Sequence, residues 1–223
     1  MNIWFILIAI MLLSLAVQGM LTNRFNKYSK VPTSNGMSGA EIAMKMLNDN
    51  GIHDVTVVPT KGMLTDFYNP VNKTVALSEA VYSSRSVAAA AVAAHECGHA
   101  IQHAKGYAPL KFRSALVPVV NFASNIVQWV LLLGVILMSV FPGLLWFGIA
   151  LFALTTLFSF VTLPVEINAS SRAVAWLRNA GITDERTQPM AIDALKWAAY
   201  TYVIAAIGSL ATLLYYIGLA RRD

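Results

Sequence analysis

His95, Glu96 and His99 stand together in the run His95-Glu96-Cys97-Gly98-His99. On an α-helix, positions four apart share one face, about a turn apart along the axis. Both imidazoles can therefore aim a ring nitrogen at one metal ion. The carboxylate beside the first histidine can reach a water on that ion without ligating it. That is the mechanical content of the H-E-x-x-H motif of zinc proteases. The setting sharpens the pattern: the chain has 4 histidines, and His95, His99 and His103 fall within nine residues.

The surrounding residues predict a helix over 84–104. Its first half is mostly alanine, the strongest helix former. Ser83, Ser84 or Ser86 can cap the start, and Gly106 with Pro109 beyond can end it. Gly98 costs about 1 kcal/mol against alanine inside a helix. A residue that small lets another segment approach the metal closely. Cys97 is read as a small helix residue turned away from the metal. As the sole cysteine, it excludes an internal disulfide and fits a reducing compartment.

A catalytic tetrahedral zinc takes three protein ligands and keeps the fourth position open. His103 lies eight residues past His95, about 12 Å of helical rise, whereas zinc–nitrogen bonds are about 2.0–2.1 Å. A straight helix cannot bring both to one ion, so His103 is expected to orient or pack. Glu166, in Leu163-Pro164-Val165-Glu166-Ile167-Asn168, is the better third ligand. It sits on what Pro164 marks as a new helix start, where a carboxylate could also serve the helix dipole. Glu96 and Glu166 are the sole acids between Glu79 and Asp184, which favours the ligand reading.

Composition says where this chemistry happens. The chain is 57% hydrophobic and 12% charged, unusual for a soluble protein and ordinary for a membrane one. No charge occurs over Met1–Asn23, Ser114–Val165 or Trp197–Ala220. A membrane-spanning helix needs about 20 mostly apolar residues, so the middle stretch holds two, with Phe141-Pro142-Gly143 as the hairpin turn. Four transmembrane helices are expected, over 3–21 (within a first segment 1–21), 117–140, 144–163 and 199–219. The first lacks the basic leader of a signal peptide and its apolar run is too long for one.

Of the 16 basic residues, ten lie between Arg24 and Arg113, four between Arg172 and Lys196, and two are Arg221-Arg222. Four spans put the first two groups on one side, which the positive-inside rule makes cytoplasmic. The net charge of +5 therefore reflects topology and contact with anionic lipid. No basic patch is interleaved with aromatics, so nucleic acid is excluded as a partner. A transporter would carry ionisable groups inside its spans, and these spans have none. An intramembrane protease would place the motif inside a span and add a Leu-Asp-Gly aspartate; neither is present.

A polar region, 22–83, precedes the motif. Ser38-Gly39-Ala40-Glu41 followed by Ile42, Met46 and Leu47 reads as a capped amphipathic helix ending near Gly51. Asp54–Val58 reads as a strand stopped by Pro59. Tyr68–Lys73 reads as turn material and Thr74–Ser78 as a second strand. That second strand either packs the sheet or offers an edge on which an extended peptide docks. The expected organisation is a cytoplasmic domain over 22–115, a transmembrane hairpin over 116–163, a cytoplasmic helical segment over 164–198 and the last span.

Several stretches together resemble the YugP-like bacterial membrane zinc metallopeptidases. They are Val92–Gln102 around the motif, Asn72-Lys73-Thr74-Val75 with Leu77-Ser78, Tyr107-Ala108-Pro109-Leu110 with Arg113-Ser114, and Leu163-Pro164-Val165-Glu166. They run in order over roughly residues 22–196. The layout is also similar to that of the HtpX-like proteases, with membrane helices between the H-E-x-x-H helix and the ligand glutamate. The resemblance implies a gluzincin-type site, with one Zn2+ per chain on His95, His99 and Glu166 and Glu96 as catalytic base. Asn168 departs from the family pattern, which has an aspartate two residues after the ligand glutamate. An amide can orient a neighbour but supplies no charge.

The fold class expected is an α-helical integral membrane protein with four transmembrane helices and a small α+β zincin-like (minigluzincin) domain on the cytoplasmic side. The function expected is a membrane-bound zinc metalloendopeptidase of the cell membrane, hydrolysing peptide bonds with a zinc-activated water. Glu96 would take the water's proton and pass it to the leaving amine. Tyr200, Tyr202, Arg172 and His103 are the available donors for the oxyanion. The expected partners are the lipid bilayer and peptide or protein substrates, membrane-protein loops and tails among them. Oligomeric state is not readable. The alternative is a non-catalytic membrane scaffold or assembly protein that keeps zinc for structure, a reading that Asn168 supports.

Overall fold

The computed structural model describes residues 3–221. Its elements run α1 (Ile3–Tyr28), α2 (Gly39–Asp49), β1 (Thr56–Thr60), β2 (Phe67–Asn69), β3 (Thr74–Ser78), α3 (Glu79–Tyr82), α4 (Val87–Ala104), α5 (Ala108–Ile136), α6 (Pro142–Asn179) and α7 (Gln188–Ala220). They fall into two compact units. One holds the described residues of 1–16, 111–164 and 201–223; the other holds 17–110 and 165–200.

The first unit is built from the uncharged stretches. Helices α1, α5, α6 and α7 are each long and apolar enough to cross a membrane. Helices α5 and α6 pack where side chains are smallest: a Cβ added at Gly134 would lie 2.7 Å from the Leu145 Cα. Close backbone approach at small residues is how helices associate where no water drives burial. Pro142 opens α6 rather than lying in a turn; the link is Leu137–Phe141. Proline is well suited to a first helical position, where its missing N–H has no helical partner to lose.

Two expectations about helix limits are corrected. Pro164 does not start a helix, because α6 continues through it to Asn179. The proline leaves the Phe160 carbonyl without its helical donor, a loss a long apolar helix tolerates. Glu166 therefore shares a helix with the third span. The motif helix starts at Val87, not at 84, and Ser86 is its N-cap, accepting from the Ala89 N–H.

In the second unit the sheet order is β1-β3-β2, with β1 parallel and β2 antiparallel to β3. Two strand expectations change with it. Pro59 lies inside β1, opposite Leu77, which is allowed because β1 is an edge strand. Phe67–Asn69 is a strand and not turn, so β3 has a neighbour on both sides and offers no edge to a peptide. The sheet's free edges belong to β1 and β2.

Helix α2 starts at a capping box: the Ser38 side chain accepts from the Glu41 N–H, and the Glu41 carboxylate accepts from the Ser38 N–H. Its apolar face, Ile42, Met46 and Leu47, packs with Val75 and Leu77 of β3, Leu177 of α6 and the alanines of α4. Ala88–Ala91, Ala93 and Ala94 are all fully buried. Small side chains let neighbours surround α4 closely, which places the motif helix at the centre of this unit.

Candidate metal centre

His95 and His99 project from one face of α4, their rings edge-to-face with centroids 4.8 Å apart. Glu166 comes from α6. Its Oε2 lies 3.3 Å from His95 Nε2 and 3.6 Å from His99 Nε2. The three ligand atoms all lie within 4.8 Å of one another. Tetrahedral zinc with bonds of about 2.0–2.2 Å holds its ligand atoms about 3.3 Å apart. Glu166 is 4% exposed, and its Oε2 is buried with no hydrogen-bond partner. A buried carboxylate oxygen without a donor is costly to leave unmet, and a divalent ion on these three atoms would meet it. The residues present fit zinc.

Gly98 explains how α6 gets there. An added Cβ would lie 2.7 Å from the Ala169 carbonyl oxygen and 3.0 Å from its Cα. Only a hydrogen at that position allows the two backbones so close. On α4, His95 lies about one turn before Gly98 and His99 directly after it, and on α6 Glu166 lies about one turn before Ala169.

The far sides of both rings are held. Ser170 Oγ lies 3.0 Å from His95 Nδ1, and Gln102 Oε1 lies 3.1 Å from His99 Nδ1. Gln102 Oε1 can only accept, so His99 donates from Nδ1 and turns its Nε2 lone pair to the centre, the tautomer a metal requires. The Ser170 hydroxyl is able to accept from His95 in the same way. Gln102 is fully buried. Its amide nitrogen donates to the Val165 carbonyl at 2.8 Å and to Asn168 Oδ1 at 3.0 Å. Arg172 Nε donates to the same Asn168 oxygen at 2.7 Å. Among the described residues Asn168 makes no hydrogen bond to His95 or His99; it meets Gln102 instead. Ser170 and Gln102 were not singled out from the sequence. The one signal was Gln102 standing three residues after His99, a spacing that shares a helix face.

Glu96 is buried and stays outside the three-residue cluster. Burial pushes its carboxyl up from the usual range, opposed by the two histidines. Burial alone would lower His99, but the Glu166 and Glu96 carboxylates raise it above the ordinary imidazole value. Asp66, also raised by burial, accepts from the Ser78 N–H at 2.7 Å and from its hydroxyl, and its charge bears on Glu96.

His103 is exposed and away from the cluster, its Nδ1 2.8 Å from the Tyr68 hydroxyl. Arg172 is occupied by Asn168, and Tyr200 stacks edge-on against Trp197. Tyr202 lies on the part of α7 that belongs to the membrane-type unit. Cys97 turns toward α2, its thiol 3.5 Å from the Ala43 carbonyl.

A family model described as "Putative neutral zinc metallopeptidase" matches residues 3–221. The chain is 44% identical over 213 residues to a protein of Bacillus subtilis (strain 168) named "Putative membrane protease YugP", covering 96% of this chain and 94% of that one. No solved structure matches the chain.

Proposed function

We propose, from the premise that this chain belongs to the neutral zinc metallopeptidase family, that it is a membrane-bound zinc metalloendopeptidase with Glu96 as catalytic base. The observation that carries the reading is the cluster itself: an orphaned, buried Glu166 oxygen 3.3 and 3.6 Å from two histidine Nε2 atoms, all within 4.8 Å of one another. A zinc ion there supplies a Lewis acid that acidifies water and polarises a peptide carbonyl.

The chain's own residues do the rest. Gln102, whose Oε1 can only accept, fixes His99 in the tautomer that faces inward, and Ser170 holds the His95 ring. Glu96, next to His95, accepts a proton from the attacking water and returns it to the departing amine nitrogen. Burial raises its carboxyl from the usual range, which makes it a stronger proton acceptor than an exposed glutamate. The scaffold alternative drew its support from Asn168. Its Oδ1 accepts from both Gln102 and Arg172, which is the acceptor role a carboxylate oxygen would fill, so we favour catalysis.

The test is Glu96→Gln in the purified full chain. It should hold zinc at the parent's stoichiometry while cleaving an unfolded protein substrate about 10²–10⁴-fold more slowly. Unchanged turnover at full zinc occupancy refutes the mechanism. We place the site on the cytoplasmic face of a multi-pass cell-membrane protein, on the distribution of basic residues. Cysteines replacing Lys61 or Asp184 should then resist an impermeant thiol reagent in intact cells, while one replacing Gly143 should react. The opposite labelling pattern refutes that placement.

A further inference from the structure

Six hydroxyls inside α6 and α7 are satisfied locally. Thr155, Thr156, Ser159, Thr162, Ser209 and Thr212 all donate to carbonyls of their own helix. Helix α5 is different. Asn121, Asn125 and Gln128 are exposed, and among the described residues their amides make no side-chain hydrogen bond. They lie well inside a helix long and apolar enough to cross a membrane. Along 114–132 its buried residues, Val120, Ala123 and Leu131, lie roughly 100–180° around the helix from this face, since each residue turns the helix by roughly 100°. The polar face of this span looks away from its own protein.

The pattern is regular. Ser114, Pro118, Asn121, Asn125, Gln128 and Leu132, all exposed, follow one another at spacings of four and three. That is the heptad seam by which two helices interlock, with Pro118, Asn125 and Leu132 at one type of seam position and Ser114, Asn121 and Gln128 at the other. Lipid tails offer an amide neither donor nor acceptor, and in membranes such groups are met by a neighbouring helix.

We propose that this face of α5 docks the α5 of a second copy of the chain within the bilayer. Two copies inserted with the same topology present α5 in parallel. A two-fold axis along the membrane normal then sets each seam residue against its own counterpart. An amide carries both donor and acceptor, so Asn121, Asn125 and Gln128 complement themselves. A second copy supplies the matching register by construction, whereas an unrelated helix would need amides at the same four-three spacing. An asparagine at the Asn125 type of position is also what fixes register in parallel pairs. The proposal rests on the chain spanning the membrane and is independent of catalysis.

Single cysteines replacing Asn121, Asn125, Gln128 or Leu132 should form disulfide-linked dimers when membranes are oxidised with copper phenanthroline. Cysteines replacing the exposed but off-seam Val119 or Leu133 should not, nor should the parent, whose Cys97 is fully buried. In liposomes of phosphatidylethanolamine and phosphatidylglycerol, energy transfer between donor- and acceptor-labelled full chains should report the dimer. The triple variant Asn121→Leu, Asn125→Leu, Gln128→Leu, which only makes the span more apolar, should weaken association at least tenfold. Cross-linking as strong at Val119 or Leu133 overturns the proposal. So does a triple variant that associates as tightly as the parent, or seam cysteines that capture only a different polypeptide.

Discussion

Replacing Gln102 by leucine separates what holds the metal ligands from what holds the fold. The two side chains are similar in volume and the site is fully buried, so packing changes little. Two kinds of hydrogen bond are lost. The Val165 carbonyl and Asn168 Oδ1 lose a donor whether or not zinc is bound, which costs stability alone. His99 Nδ1 loses its acceptor at 3.1 Å, and this loss depends on the metal. Without zinc, His99 can shift its proton to Nε2, which faces the Glu166 carboxylate 3.6 Å away. Zinc claims that nitrogen and strands an Nδ1–H in a buried place. An unpaired buried donor costs about 1–3 kcal/mol, so zinc affinity should fall about 5- to 150-fold. That brackets the roughly 10- to 100-fold typical of groups that orient metal ligands. The assay is competition of the purified full chain with a chromophoric zinc chelator at fixed pH, with the thermal midpoint of the zinc-free protein measured alongside. Zinc affinity within twofold of the parent would refute the claim that Gln102 sets the His99 tautomer, even if the midpoint drops.

Three further outcomes follow from the same geometry. Gly98→Ala places a Cβ against the Ala169 backbone. It should destabilise by about 1–3 kcal/mol and lower zinc affinity, read by denaturant melts and the chelator assay. Glu166→Ala should lose most bound zinc by elemental analysis, whereas His103→Ala, whose ring contacts Tyr68, should keep it within twofold. Asp184 accepts from the Thr187 hydroxyl and N–H and from the Arg186 N–H, which hold its carboxyl down at about 2. A carboxyl with a depressed folded pKa stabilises above its ordinary value of about 3.9 and loses that contribution as pH falls. Asp184→Ala should therefore melt below the parent at pH 6, with the gap closing between about pH 4 and 2.

What could be read from the sequence was local. The spacing of His95 and His99 fixes a shared helix face, and Ser38 with Glu41 fixes a helix start, because each depends on residues within one turn. Glu166 stood out because acids are scarce in that half of the chain, not because any spacing ties it to His95. The tie is Gly98 against Ala169, a contact between residues 71 apart in number. Pro164 misled because proline's local meaning is a helix start, while its setting in a long apolar helix overrides that meaning. The three-residue β2 was too short to leave an alternation, and without it β3 could not be recognised as the central strand. Gln102 and Ser170 acquire their roles only once α6 lies beside α4. No pattern within either helix announces them.

The order of the ligands along the chain also has a consequence in time. His95 and His99 are translated first, and Glu166 emerges sixty-seven residues after His99, beyond α5 and most of α6. At roughly 5–20 residues per second, the third ligand trails by about 3–13 s. Throughout that interval the nascent chain carries the two imidazoles and Glu96 but not the third member of the candidate site. The intervening stretch, α5 and the first part of α6, is long and apolar enough to cross a membrane. On the proposed function, the cluster of His95, His99 and Glu166 is complete only after that stretch has been synthesised.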